Sequence, residues 1–87
     1  MNFSIIWRTE TLDALADIYI AATEDEREQI TAGVDVFNRR LAKNPFDVGE
    51  SRDGNVRFAF PALLMIRFRI EGDDRIVRVI RVARFGR

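Results

Sequence analysis

The stretch that most restricts the fold is Leu63-Leu64-Met65-Ile66-Arg67-Phe68-Arg69-Ile70. From Leu64 its even positions are Leu64, Ile66, Phe68 and Ile70, whereas the odd positions include Arg67 and Arg69. Strict alternation over this length predicts a strand with one buried face and one face that keeps its charges in water. A turn, Glu71-Gly72-Asp73-Asp74, follows, and then Arg75 to Phe85, a β-branched run with an arginine at every third position. Upstream, Val56, Phe58 and Phe60 alternate with Arg57 and Ala59, and Pro61 bars continuation as a central strand. The last third of the chain therefore predicts three short strands laid side by side.

The first half reads differently. Phe3, Ile5 and Trp7 share one side of a short strand ending at Arg8. Thr9 or Thr11 can then cap a helix to about Ala21, with Leu12, Leu15, Tyr19 and Ala22 as its core stripe. Thr23-Glu24-Asp25-Glu26 is a capping box, with acids in the first turn facing the helix dipole. It opens a long helix to about Lys43, with Ile30, Val34, Phe37 and Leu41 as the buried stripe. Gly33 in its middle costs about 1 kcal/mol against alanine and predicts close approach of the first helix. Asn44-Pro45 stops it, and 45–55 reads as a loop. The expected fold is α+β, in the order β-α-α-β-β-β: a helical hairpin packed on one face of an antiparallel sheet. A length of 87 residues allows one domain, spanning 1–87.

Composition narrows the chemistry. There is no histidine, so imidazole bases, triads and histidine-based zinc sites are excluded, and with no cysteine there is no thiolate chemistry. Neither a metal nor a cofactor is expected. No apolar run suits a membrane span and the start lacks the pattern of a signal peptide, so the expected location is cytoplasmic. Residues 1–50 hold ten acidic and five basic side chains, a net −5; residues 51–87 hold nine arginines and four acids, a net +5.

With the 71–74 segment as a four-residue hairpin loop, Ile70 lies opposite Arg75, Phe68 opposite Val77 and Ile66 opposite Val79. One side is then apolar, completed by Val56, Phe58 and Phe60. The other gathers Arg57, Arg67, Arg69, Arg78 and Arg84, interrupted by Met65, Ile76, Ile80 and Val82. Arg81 falls on the apolar side in this register, and a one-residue slip would swap the assignments. A surface mixing arginine and aliphatic side chains suits an acidic amphipathic segment of another chain, or phosphates. A plain solvated sheet face is the alternative.

The element order and the run Asn44-Pro45…Arg57…Phe60-Pro61…Arg67-Phe68-Arg69…Arg75-Ile76-Val77-Arg78-Val79 give the chain its resemblance to the RelE/ParE superfamily, toxins of bacterial type II toxin–antitoxin modules. The resemblance spans nearly the whole chain. It implies a cytoplasmic toxin that inhibits growth and is neutralised by a cognate antitoxin. RelE-like members cut messenger RNA in the ribosome, with basic and tyrosine side chains at the 2′-hydroxyl and phosphorane; ParE-like members inhibit DNA gyrase. Carried over, the catalytic positions fall on Arg57, Arg67 and Arg84, with Arg87 after the last strand. Ala59 and Met65 stand where basic residues are expected, and the C-terminal tyrosine has no counterpart. The set for ribosome-dependent cleavage is thus incomplete. The binding surface implied is Arg57, Arg67, Arg69, Arg78, Arg84, Met65 and Ile80. The alternative is an interaction module that keeps the fold without toxicity or catalysis.

Overall fold

A computed structural model describes residues 2–86. Its organising element is the strand that the alternation predicts, β4 (Leu64–Glu71), in which Leu64, Ile66, Phe68 and Ile70 are all buried. Four more strands surround it: β1 (Ser4–Trp7), β2 (Glu50–Asp53), β3 (Val56–Ala59) and β5 (Ile76–Arg84). The sheet order is β1-β5-β4-β3-β2. All neighbours are antiparallel except β1 and β5, which run parallel. Helices α1 (Thr9–Ala21) and α2 (Glu24–Lys43) form a hairpin that seals one side of this sheet. The β-α-α-β-β-β order holds, with two additions: the expected 45–55 loop contains a 3-10 turn, Pro45–Asp47, and the short edge strand β2.

Helix α2 follows its sequence signals. Thr23 accepts from the Glu26 backbone N–H at 3.2 Å, and the Glu26 carboxylate accepts from that of Thr23 at 2.9 Å. Ile30, Phe37 and Leu41 are buried, and Phe37 meets Phe68 edge-on at 5.7 Å between centroids. Each such aromatic buries enough apolar area to stabilise the core by about 2 kcal/mol. Gly33 does mark a close approach, but to a different neighbour. A Cβ there would stand 2.8 Å from that of Ala62, in the turn between β3 and β4.

Helix α1 departs from its expected register. Leu12 and Tyr19 are 49% and 40% exposed, while Thr11 is buried and Ala14, Leu15 and Ile18 face the core. Neither Thr9 nor Thr11 caps the helix: Arg8 holds that position without a side-chain bond. Thr11 instead donates its hydroxyl to the Ile80 carbonyl at 2.8 Å. That bond explains both the rotation of the stripe and the burial of a polar residue, because a buried hydroxyl must find a partner.

The bonded carbonyl belongs to a β-bulge. Along β4 and β5 the pairs are Glu71–Ile76, Ile70–Val77, Arg69–Arg78 and Phe68–Val79, and then Arg67–Arg81, Ile66–Val82, Met65–Ala83 and Leu64–Arg84. Ile80 is the extra residue. At the turn the register sits two places from the expected one, which preserves faces, so Val77 and Val79 still line the core. Beyond Ile80 the parity flips. Val82 turns inward and is buried, and Arg81 turns out to solvent, which removes its misfit with the apolar side.

Candidate functional site

Paired residues on neighbouring strands share a face, so the register fixes which arginines stand on the side away from the helices. Arg67 and Arg81 are one such pair, Arg69 and Arg78 another, and both occupy the open side. Met65, Ile76 and Ile80 are half-buried around them, and Ile6 of β1 is 40% exposed. Two expected members are elsewhere. Arg57 pairs with Phe68 and therefore points to the helix side. There its Nε donates to the Val48 carbonyl at 2.9 Å and its Nη2 to that of Gly49 at 3.0 Å. Arg84 pairs with the fully buried Leu64, across the bulge, and its Nη2 meets a Glu26 carboxylate oxygen at 2.9 Å. The single arginine face of the sequence reading is thus corrected at both positions. Arg57 is displaced by the register of β3, and Arg84 by the extra residue at Ile80.

The same shifts turn other residues outward or inward. Val56 and Phe58 lie on the open side, paired with Arg69 and Arg67, instead of in the core. Phe58 tolerates that position because the guanidinium groups of Arg52 and Arg67 lie 5.6 and 5.9 Å from its ring centroid, a cation–π arrangement that also shields the ring. Phe60 is exposed and packs on Phe85 at 4.7 Å. Val82, expected among the arginines, is in the core. Arg87 lies outside the described residues.

Charge on the open side is unevenly matched. Glu71 serves one arginine pair: its Oε2 is 2.7 Å from Arg78 Nε and 3.6 Å from Arg69 Nε. Arg67 and Arg81 are exposed, and among the described residues neither has an ion pair. Sequence reasoning missed Arg81, Arg52 and Glu71. For Arg81 the signal is present in the sequence: the inward valines run Val77, Val79, Val82, and a spacing of three inside a strand marks a bulge.

On the helix side, Glu26 is held from the usual 4.5 down to about 2, first by its hydrogen bond with Arg84 and then by the Thr23 backbone N–H. The chain has no histidine, and Tyr19, its one tyrosine, sits on α1 in the helical layer. Among the described residues the open side therefore offers cations, apolar contacts and one carboxylate, Glu71, which is engaged by Arg78 and Arg69. No helix among the described residues is long and apolar enough to cross a membrane.

Neither a protein-family model nor a curated protein sequence matches the chain. Solved structures do. A chain of the chromosomal ParDE TA system of P. aeruginosa superposes with a TM-score of 0.71 at 16% identity, covering 97% of both chains. One from the toxin-antitoxin complex RelBE2 of Mycobacterium tuberculosis gives 0.72 at 19% identity, over 97% of this chain and 99% of that one. The chain has the RelE/ParE toxin fold. A chain of the archaeal RelE-RelB complex of Pyrococcus horikoshii extends the likeness, at a TM-score of 0.57, 11% identity and 100% and 99% coverage. At these identities what is shared is the RelE/ParE backbone arrangement, and the side chains of the open face have to be read on their own.

Proposed function

We propose that this chain is the toxin component of a type II toxin–antitoxin module, acting in the cytoplasm and neutralised by a cognate antitoxin protein. The observation that carries the reading is the fold: its architecture is shared, over nearly its full length, with chains solved in toxin–antitoxin complexes. Its growth-inhibiting target lies in translation or is DNA gyrase, engaged through the open sheet face around Arg67 and Arg81. Engagement by binding fits that face better than cleavage of RNA. Arg57 and Arg84 are occupied on the helix side, and no imidazole or phenol stands near Arg67 to take a 2′-hydroxyl proton. Arginine stabilises phosphate charge well but is a poor base.

The same dispersal favours a second reading, an interaction module that keeps the fold and has lost toxicity. Induced expression of the chain alone in a bacterial host, scored by colony formation, separates the two. The toxin reading expects arrest, relieved by co-expression of the antitoxin and by Arg67→Ala with Arg81→Ala. Unimpaired growth with soluble, folded protein supports the interaction module instead.

A further inference from the structure

The two arginine pairs on the open face are set up alike and completed differently. In both, guanidinium groups stand directly across from one another on β4 and β5. Like charges placed so repel and destabilise a sheet. At Arg69 and Arg78 the repulsion is answered by Glu71, whose carboxylate lies between the two Nε atoms at 3.6 and 2.7 Å. At Arg67 and Arg81 no carboxylate of the described chain does the same. The bulge at Ile80 brings that second pair into being, and the Thr11 hydroxyl donates to the bulged residue's carbonyl. Around the pair lie Met65 and Ile80, which are apolar and half-buried. The one aromatic ring of the paired strands on this face, Phe58, is half-buried and already has the guanidinium groups of Arg52 and Arg67 at 5.6 and 5.9 Å from its centroid.

We infer that Arg67 and Arg81 form a receptor for a carboxylate of a partner protein: an extended segment whose acidic side chain completes the pair as Glu71 completes its neighbour, while flanking apolar side chains rest on Met65 and Ile80. This rests on the reading of the chain as a protein-binding toxin or interaction module, and it adds the chemistry of what is bound. A charge-assisted fork of this kind recognises a carboxylate in two contacts. Phosphate would satisfy the charge as well, but the aliphatic border of Met65 and Ile80 favours a peptide over RNA.

The test uses the full chain and a short fluorescent peptide of alternating glutamate and leucine, with a single-stranded RNA of equal charge as competitor. Peptide affinity is expected to fall at least about tenfold in Arg67→Gln with Arg81→Gln. Arg39→Gln, which removes one charge from α2, should change it less than about twofold. A further variant, Arg81→Glu, supplies the missing carboxylate from within. It should raise the melting temperature by a few degrees, about what one cross-strand ion pair contributes, and should abolish peptide binding. Indifference of the peptide to the paired substitution overturns the inference, as does tighter binding of the RNA lost in the same variant. Growth assays report separately: a chain that binds the peptide through this pair without arresting growth refutes toxicity and leaves the receptor standing.

Discussion

The arginines on the two sides of the sheet teach different lessons about one residue type. On the helix side, Arg57 and Arg84 work as internal braces. Arg57 clasps two backbone carbonyls of the segment leading into β2, and Arg84 ties the end of β5 to the first turn of α2. On the open side, Arg67 and Arg81 touch no carboxylate of the described chain, and a cross-strand neighbour of like charge opposes each. A brace is expected to matter for stability and not for partners. An unmatched pair is expected to matter for partners and little for stability. Each substitution below is a way to break that division.

The largest effect should come from Gly49→Ala, which strikes the segment that Arg57 clasps. Gly49 has φ +69°, and an added Cβ would stand 2.1 Å from the Phe58 carbonyl oxygen, a backbone atom that cannot step aside. Left-handed strain and overpacking together should cost about 3 kcal/mol, read as a lower midpoint in urea. Arg57→Ala comes next. Losing two charge-assisted bonds to backbone carbonyls should cost about 2 kcal/mol, against a change within about 0.5 kcal/mol for Arg67→Ala on the exposed face. Equal costs for the two would mean that the sides of the sheet do not divide the arginines as described.

Thr11→Val sharpens the comparison from the α1 side. It keeps the shape of the side chain and deletes the donor to the Ile80 carbonyl, at an expected cost of about 1–2 kcal/mol. If that bond pins the bulge, hydrogen exchange should quicken at 80–82 more than at 76–79, where β1 still pairs with β5. Uniform exchange along β5 would show that the strand keeps its bulge without the threonine.

How legible all this was in the sequence depends on the kind of signal. The alternation of β4 and the capping box at Thr23–Glu26 are local patterns, and local patterns survive folding when neighbours agree with them. The chain order, the α2 stripe and the inward Val77 and Val79 were accordingly readable. The faces of β3 were not. Val56, Phe58 and Phe60 look like a core row, yet Ala59 is the buried residue of that strand, and the larger rings are left to lie near arginines or on Phe85. Nor was the placement of Arg84. One extra residue at Ile80 exchanges inside and outside for the rest of β5, and the carbonyl of that residue is bonded by a threonine far away in sequence. Composition showed an arginine-rich last third. Only the register showed which arginines remain available.

The smallest expected effect concerns the second brace, and it has a defined direction with pH. The folded-state value of Glu26 lies near 2, depressed from 4.5 chiefly by Arg84. A carboxylate depressed in the folded state stabilises in full above its unfolded value, and that contribution is lost as pH falls from about 4.5 through the folded value. Stability should therefore decline across this acid window, whereas near neutrality the Glu26 contribution is complete and gives no slope with pH. Glu26→Gln isolates the charge, since the amide oxygen can still accept from the Thr23 N–H and preserve the capping box. The variant should lose part of the acid slope, and Arg84→Gln should lose a similar part. Arg67→Gln should leave the slope as it is, because no carboxylate of the described chain is paired with that residue. If the slope responds to Arg67 and not to Arg84, the brace and the unmatched pair have been assigned to the wrong sides of the sheet.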